Sequence, residues 1–169
     1  MLNKGDSVIY GCHGVCTVID ITKKDFGLKL GEKVYYALKP LYQHDSVYYV
    51  PIESTHSVIR PIIDRDEVEK LILKIPSIES AWIANEKERE KQYKALLKTC
   101  EPVELIRIIK TLFERKRARI SDGKKATSVD DRYFKLAEEQ LYGELAISLQ
   151  IDKSEVKEYI TQKLAEVNI

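Results

Sequence analysis

The stretch GDSVIYGCHGVCTVIDI, residues 5–21, decides the fold of the first part of the chain. Two apolar runs, Val8-Ile9-Tyr10 and Val15 to Ile21, are rich in β-branched residues and are separated by Gly11 and Gly14. β-branched and aromatic residues favour strands, whereas glycine marks the turns between them. The stretch therefore predicts two short strands joined by a tight turn.

Similar strand-sized segments follow as far as residue 60. The segments Val34 to Leu38, Val47 to Ile52 and Ser57-Val58-Ile59 are again rich in β-branched residues and tyrosine. Turn formers separate them, such as Lys39-Pro40 and His44-Asp45-Ser46. Five short strands in so short a stretch predict a small, strongly bent β-barrel of the SH3 or Tudor type.

The apolar residues take up a helical spacing after Arg60-Pro61. Asp64 to Ile75 predicts a first helix that ends at Pro76, and residues 78 to 98 predict a longer one. Glu101-Pro102 opens a third helix, because proline suits the first turn of a helix. The apolar stripe of this third helix consists of Leu105, Ile106, Ile109, Leu112 and Phe113.

Two capping patterns predict the remaining helices. Ser128 with Asp131 resembles a capping box for a helix that runs to about Leu149. Asp152 with Glu155 resembles a second box and opens the last helix. The residues of the last helix that we expect to face inward are Val156, Ile160, Leu164 and Val167.

These patterns together predict an α+β protein with two domains. Residues 1–63 are expected to form the small Tudor/SH3-like β-barrel, and residues 64–169 an all-α helical bundle. Hydrophobic residues make up 44% of the chain and charged residues 33%, which is typical of a chain that folds and stays in solution. The net charge is +1, so the chain as a whole has no strong attraction to nucleic acid.

The sequence also carries expectations about location. No segment has eighteen consecutive apolar residues, so we expect no membrane span. The N-terminal residues MLNKGDSVIYG lack the apolar segment of a secretory signal. The chain has three cysteines, an odd number that suits a reducing compartment. We therefore expect a cytoplasmic protein.

No pattern of catalytic residues stands out, so we do not expect an enzyme. Cys12, His13 and Cys16 could supply metal ligands, but a complete site would need a further ligand such as His44 or His56. Cys12 and Cys16 are more simply explained as small apolar residues beside a strand. We expect neither a metal site nor a cofactor.

Positive charge is concentrated in one segment. Residues 107–125 contain eight basic and two acidic residues, a net charge of +6, whereas residues 126–169 contain five basic and nine acidic residues, a net charge of −4. Cations are stabilised at the C-terminus of a helix, so part of the cluster has a structural explanation. Phosphate binding without sequence reading is the functional explanation for the rest.

Several blocks of the sequence resemble a known family when they are taken in order. GDSVIYGCHGVCTVIDI, KVYYALKPL, SVYYVPIES and IRPI resemble the N-terminal domain of the CarD/CdnL family of bacterial transcription regulators, a module also found in transcription-repair coupling factor. The blocks YKALLKT, ELIRIIKTLFERKR and AEEQLYGELA resemble the helical C-terminal domain of that family. The resemblance covers nearly the whole chain.

The resemblance implies that the N-terminal domain docks on the β subunit of RNA polymerase, largely by pairing of sheet edges. It places the polymerase contacts at Tyr49 and at Lys24 or Lys23. Tyr49 occupies a position at which the family usually has an arginine. Strand alternation sends Tyr48 and Tyr49 to opposite faces, so one of the two should point outward.

The resemblance also implies that the helical domain contacts promoter DNA at the upstream edge of the melted region. There a tryptophan inserts into the minor groove as a wedge. Trp82 lies seven residues before the family's usual position, which Arg89 occupies here. On a continuous helix the two would point the same way, but Trp82 also shares an apolar stripe with Tyr93 and could belong to the core. The expected DNA contacts are Trp82, Arg89, Lys91, Arg115, Lys116, Arg117, Arg119, Lys124 and Lys125.

The sequence thus predicts a monomeric, non-enzymatic regulator, localised to the nucleoid through RNA polymerase, that stabilises the open promoter complex. Two alternatives stay open. In one, the chain is a protein-only adaptor that bridges polymerase to another protein without DNA contact. In the other, it is an RNA-binding accessory protein, since SH3-like and Tudor-like barrels serve many functions.

Overall fold

The chain divides into two compact units, Met1–Ile62 and Ile63–Ile169. The predicted boundary lay one residue further along the chain. The computed structural model describes residues 1–27, 32–42, 46–54, 59–81 and 85–167.

The first unit is a five-stranded antiparallel sheet. Its strands are β1 (Ser7–Tyr10), β2 (Val15–Lys24), β3 (Lys33–Pro40), β4 (Tyr48–Pro51) and β5 (Ile59–Pro61). They lie in the order β4-β3-β2-β1-β5, so β4 and β5 are the outer strands of the sheet in the part of the chain that the structure describes. The first four predicted strands are confirmed. Of the fifth, predicted at Ser57-Val58-Ile59, Ser57 and Val58 lie outside the described residues, and β5 is described from Ile59. Closure of the sheet into a barrel stays a prediction.

The turn between β1 and β2 depends on glycine. Gly11 and Gly14 have φ angles of 46° and 73°, which glycine adopts without the steric cost of a side chain. In the second hairpin the pairing of β2 with β3 shifts register between Val18 and Asp20. An irregularity of this kind increases the local bend of a sheet. Both features are compatible with the bent sheet that the sequence predicts.

The core of the sheet unit consists of residues from four strands, namely Val8, Cys16, Val18, Tyr36, Leu38 and Val50. Cys16 is completely buried, and burial raises the pKa of its thiol to about 11. It therefore behaves as the small apolar residue that the sequence predicts. In β4, Tyr48 packs against this core, whereas Tyr49 points outward, as the alternation along the strand requires.

The second unit is helical. Its helices are α1 (Arg65–Lys74), α2 (Glu86–Thr99), α3 (Pro102–Ser121), α4 (Ser128–Leu149) and α5 (Val156–Glu166). Asp152 and Glu155 form the predicted capping box before α5. The N-cap of α4 is Thr127 rather than Ser128, because the Thr127 side chain accepts a hydrogen bond from the backbone N–H of Asp130 at 3.1 Å. The α+β class is therefore confirmed.

The second helix is shorter than predicted. It begins at Glu86 rather than at residue 78, and residues 78–81 are not helical. Contacts with α3 hold this segment: Lys110 Nζ donates to the carbonyl oxygens of Ile75, Pro76 and Ile78. The backbone N–H of Ala81 donates to the Thr111 hydroxyl at 2.8 Å. These tertiary contacts use backbone groups that a continuous helix would have kept for itself.

The helical core also differs from the sequence pattern at two positions. Phe113 and Val167 were predicted to face inward, yet both are exposed. Leu112 is the last fully buried residue of α3, so the helix extends beyond the core from Phe113 onward. Val167 follows the last residue of α5 and lies outside its inward face. Among the described residues, no helix is long and apolar enough to cross a membrane.

The backbone at the start of the helical unit is fixed by α4. Glu144, although charged, is 1% exposed, and its Oε1 accepts a hydrogen bond from the Ile63 N–H at 3.1 Å. Ser148, one turn further along α4, donates its hydroxyl to the Ile63 carbonyl at 2.6 Å. Both backbone groups of Ile63 are therefore satisfied by side chains of a single helix.

Candidate functional site

An exposed cluster of rings and one lysine lies on the sheet unit. Lys24 Nζ is 3.7 Å from the centroid of the Tyr49 ring and 5.9 Å from that of Phe26. The Phe26 ring is 5.6 Å from Tyr49 and makes an edge-to-face contact with Tyr35 at 5.1 Å. We call Lys24, Phe26, Tyr35 and Tyr49 the aromatic–lysine cluster. Cation–π attraction holds the ammonium group over the rings.

The strand register explains how residues far apart in sequence meet here. Strand β3 lies between β2 and β4, and its Tyr35 pairs with Thr22 on one side and with Pro51 on the other. Tyr49 and Phe26 are 38% and 49% exposed, which leaves their ring surfaces available to a partner. Of the two candidate lysines, Lys24 belongs to the cluster, whereas the side chain of Lys23 is exposed.

Phe26 was missed by the sequence analysis. It lies in the turn after β2, where the Gly27 N–H donates to the Asp25 carboxylate at 2.8 Å. An aromatic residue between an aspartate and a glycine is unusual, because such turns are normally polar. This contrast between an aromatic residue and its turn-forming neighbours was the sequence signal by which Phe26 could have been found. Its contact with Tyr49 could not be found without the pairing of β2, β3 and β4.

An edge of the sheet lies beside this cluster. Strand β4 pairs with β3 on one side, and in the described part of the chain it has no strand on the other. Unpaired backbone groups along such an edge can hydrogen-bond to a strand of another protein. The sheet unit therefore combines an edge suited to strand addition with a nearby exposed set of side chains.

In the helical unit, several of the predicted DNA-binding cations already have protein partners. Arg115 Nε donates to Asp130 Oδ2 at 2.7 Å, and the two side chains are only 14% and 12% exposed. Lys116 Nζ lies 3.4 Å from Asp131 Oδ1, and this pair is about half exposed. Both pairs join α3 to α4. The geometry favours a structural role for Arg115.

Other cations lie near the end of the basic segment. Arg119 Nε donates to the Lys125 carbonyl at 2.9 Å and so holds the loop that follows α3. Arg117, Lys124 and Lys125 are exposed, and within the described residues none of these three has a carboxylate partner. The part of the predicted surface most accessible to a phosphate is therefore the end of α3 and the loop after it.

The cations predicted on α2 differ in their environments. Arg89 is 5% exposed and lines a cavity of about 170 Å³ among α2, α3 and α4. Tyr93 lines the same cavity, and burial, assisted by the nearby Asp130 carboxylate, raises the pKa of its hydroxyl to about 12. Lys91, in contrast, is exposed. A buried guanidinium group cannot reach DNA without a rearrangement, which disfavours Arg89 as a contact.

Trp82 lies outside the described residues, so its role as a wedge or as a core residue stays a prediction. The assumption of a helix continuous from Trp82 to Arg89 is wrong, because Asn85 precedes the first residue of α2. The Arg89 N–H donates to the Asn85 carbonyl at 3.1 Å, which marks the first turn of that helix. The direction of the Arg89 side chain therefore carries no information about that of Trp82.

The described cysteine and histidine residues of the sheet unit, Cys12, His13 and Cys16, do not form a metal site by themselves. His13 stacks on the ring of Tyr10 at 5.1 Å, and Cys12 is exposed while Cys16 is buried. No group of three His, Cys, Asp or Glu residues that could hold a metal occurs in the described parts of the chain. His44 and His56, which the sequence offered as further ligands, lie outside those parts.

Comparison with known protein families finds a match for the sheet unit. Residues 2–63 match the model of the CarD-like/TRCF RID domain, and this range contains the β strands, the aromatic–lysine cluster and the open edge of β4. A search of curated proteins found no match to the chain. Residues 2–63 are therefore similar to the CarD-like/TRCF RID domain, and this similarity suggests interaction with RNA polymerase in a transcription-related protein.

Proposed function

We propose that this chain is a transcription regulator that docks on the β subunit of RNA polymerase and stabilises the open promoter complex through its helical unit. The observation that carries the proposal is the exposed aromatic–lysine cluster within the matched RID domain. In this cluster Lys24 Nζ lies 3.7 Å from the centroid of the Tyr49 ring, and both residues are among those expected at the polymerase contact. The proposal needs no catalytic group and no cofactor.

Docking would combine backbone and side-chain recognition. A strand of the β subunit would pair with the outer edge of β4, and its side chains would meet the rings of Tyr49 and Phe26. The Lys24 ammonium group keeps hydrogen-bond donors that can contact a carboxylate beside that strand. Tyr49 thus supports Lys24 instead of supplying the charge that the family's usual arginine would supply.

A pull-down of purified RNA polymerase tests this division of roles. Residues 1–63 should retain polymerase as well as the full chain does, because the whole sheet unit lies within them. Residues 64–169 should retain little. Binding carried mainly by residues 64–169 would contradict the proposal.

The proposed DNA contacts lie at the end of α3 and in the following loop. Arg117, Lys124 and Lys125 are the principal phosphate contacts, because their charges have no carboxylate neighbour within the described residues. Arg119 and the exposed Lys91 of α2 can add further positive charge, whereas Lys116 is paired with Asp131. We leave Arg89 and Arg115 out of this surface, since one is buried and the other is paired with Asp130.

Salt dependence tests the phosphate contacts in the complex with polymerase and promoter DNA. Replacing Arg117 and Lys124 with alanine should make the salt dependence of DNA binding less steep. The negative slope of log K, where K is the DNA-binding constant, against log salt concentration should shrink by about two units, because each substitution removes one cation from a phosphate. The matched control replaces Lys135 and Lys157, which are exposed lysines on α4 and α5. Equal slopes for both variants and for the unmodified chain would contradict direct DNA contact.

That same outcome would favour the protein-only adaptor. One observation supports this second candidate: Asp130 and Asp131 already neutralise Arg115 and Lys116, which reduces the positive charge left for DNA. An adaptor should bind polymerase with an affinity unchanged by promoter DNA. A regulator that contacts DNA should bind the open complex more tightly than it binds polymerase without DNA.

Trp82 is proposed as the apolar wedge at the edge of the melted DNA. As a wedge, Trp82→Ala should shorten the lifetime of the open complex while leaving the free energy of unfolding nearly unchanged. As a core residue, Trp82→Ala should cost about 3–5 kcal/mol in folding stability. Trp82 is the only tryptophan of the chain, so its fluorescence reports exposure directly.

A further inference from the structure

The exposed end of α3 carries apolar side chains as well as charges. Phe113 and Ile120 are 52% and 59% exposed. Arg117 lies four residues after Phe113 and three before Ile120, so the three share one face of the helix. Lys116 lies three residues after Phe113 on α3, and Lys124 follows the helix in the loop, where its backbone N–H donates to the Arg119 carbonyl at 2.8 Å. We call Phe113, Lys116, Arg117, Ile120 and Lys124 the α3 stripe.

The charges of the stripe suit an anionic partner. The carbon of the Arg117 guanidinium group lies 6.0 Å from the centroid of the Phe113 ring. Within the described residues, Arg117 and Lys124 have no carboxylate partner, and the contact of Lys116 with Asp131 is 3.4 Å long and half exposed. The surrounding segment, residues 107–125, has a net charge of +6, which complements a polyanion better than a typical protein surface.

The apolar members of the stripe identify the form of that polyanion. Paired, stacked DNA presents mainly phosphates and sugars at its surface, and its bases show only their edges in the grooves. Unpaired bases also expose their flat faces, on which an aromatic side chain such as Phe113 stacks whatever the sequence. A surface that joins an exposed aromatic ring to cations without carboxylate partners is typical of proteins that bind single-stranded nucleic acid.

We infer that the α3 stripe binds melted DNA, with Arg117 and Lys124 on the phosphates and with Phe113 and Ile120 on the faces of unpaired bases. The inference rests on the proposed contact between the helical unit and promoter DNA and specifies its substrate. The stripe would hold the separated strand, a role different from that of a wedge at the last base pair.

Fluorescence anisotropy of the full chain tests the inference with two labelled DNA probes. One is a duplex with a non-complementary central segment, and the other is the fully paired duplex of the same length. The unmodified chain should prefer the probe with the unpaired segment. Phe113→Ala should weaken binding to that probe roughly tenfold, the magnitude expected when one base no longer stacks on a ring, and should leave binding to the paired duplex unchanged.

Two control variants separate the possible outcomes. Arg117→Ala should weaken binding to both probes, and Leu136→Ala, which removes an exposed apolar side chain from α4, should affect neither. If Arg117→Ala weakens both probes but Phe113→Ala has no selective effect, the inference is wrong and the proposed DNA contact stands. If neither probe binds and Phe113→Ala weakens polymerase retention instead, the stripe is a protein-binding surface, and the proposed DNA contact falls with the inference.

Discussion

The two units of the chain use their cations in opposite ways. In the sheet unit, Lys24 is held over the rings of Tyr49 and Phe26, and its charge has no carboxylate beside it within the described residues. In the helical unit, Arg115 and Lys116 are held by carboxylates of α4. An aromatic ring positions a cation and leaves its charge available, whereas a carboxylate neutralises it. A count of basic residues therefore says little about which of them can bind a partner.

The contrast between the cations of the two units predicts its largest effect at Arg115. Its contact with Asp130 is largely buried, so Arg115→Ala would leave a carboxylate without its cation. We expect a loss of about 3 kcal/mol in the free energy of unfolding, measured by urea denaturation. Arg117→Ala, on the same helix and exposed, should change stability by less than about 0.5 kcal/mol.

The double variant Arg115→Ala with Asp130→Ala should recover part of that loss, because it removes both buried charges. Equal stability of the Arg115→Ala and Arg117→Ala variants would mean that the cations of α3 do not differ in role. The contrast with the sheet unit would then have no basis.

A smaller loss of folding stability is expected at Glu144, a buried acidic side chain that accepts a hydrogen bond from the backbone of Ile63. Glu144→Ala would leave the Ile63 N–H without its acceptor, and we expect a loss of about 2 kcal/mol in the free energy of unfolding. Glu144→Gln keeps an acceptor oxygen and should cost less. Equal losses for Gln and Ala would show that the hydrogen bond to Ile63 is not what stabilises the unit.

The corresponding test in the sheet unit concerns binding instead of folding. Lys24→Glu should weaken polymerase retention by roughly 1–2 kcal/mol, because its charge is available to the partner. Lys23→Glu makes the same change of charge one residue away, outside the aromatic–lysine cluster, and should have less effect. Equal losses for the two variants would point to general electrostatic attraction in place of a specific contact.

The smallest effect is a dependence on pH. The pKa of the Glu90 carboxylate is lowered from its ordinary value of 4.5. The largest cause is the hydrogen bond that Lys94 donates to it, and the second is the hydrogen bond from Tyr133. A lowered pKa in the folded state means that Glu90 stabilises the helical unit above that ordinary value and loses this contribution as the pH falls below it. Glu90→Gln should therefore flatten the acid limb of a stability–pH curve recorded by thermal unfolding. An unchanged acid limb would show that this exposed network contributes nothing measurable.

The sequence predicts those features that depend on neighbouring residues. Glycines at positive φ mark the β1–β2 turn, and Asp152 with Glu155 marks the start of the last helix, because turns and caps are formed by residues close in the chain. Strand alternation likewise predicts that one of Tyr48 and Tyr49 points outward, and in the structure this residue is Tyr49.

Features that depend on distant contacts were not predictable from local patterns. The partner of Arg115 lies fifteen residues further along the chain, on the next helix, so the basic segment gave no sign that this cation is neutralised. Lys110 and Thr111 bind backbone groups of the non-helical residues Ile78 and Ala81, about thirty residues earlier. The cluster around Tyr49 likewise depends on the pairing of three strands.

The fixed backbone of Ile63 also determines the length of the tether between the two proposed binding activities. Strand β5 ends at Pro61, and Glu144 and Ser148 hold Ile63, so Ile62 is the single residue between them. One residue spans at most about 3.5 Å. If polymerase holds the sheet unit, a tether this short would make the proposed DNA binding by the helical unit an intramolecular step at high effective concentration. A helical unit with little affinity of its own for DNA would then act wherever polymerase has melted a promoter, and would ignore the rest of the chromosome.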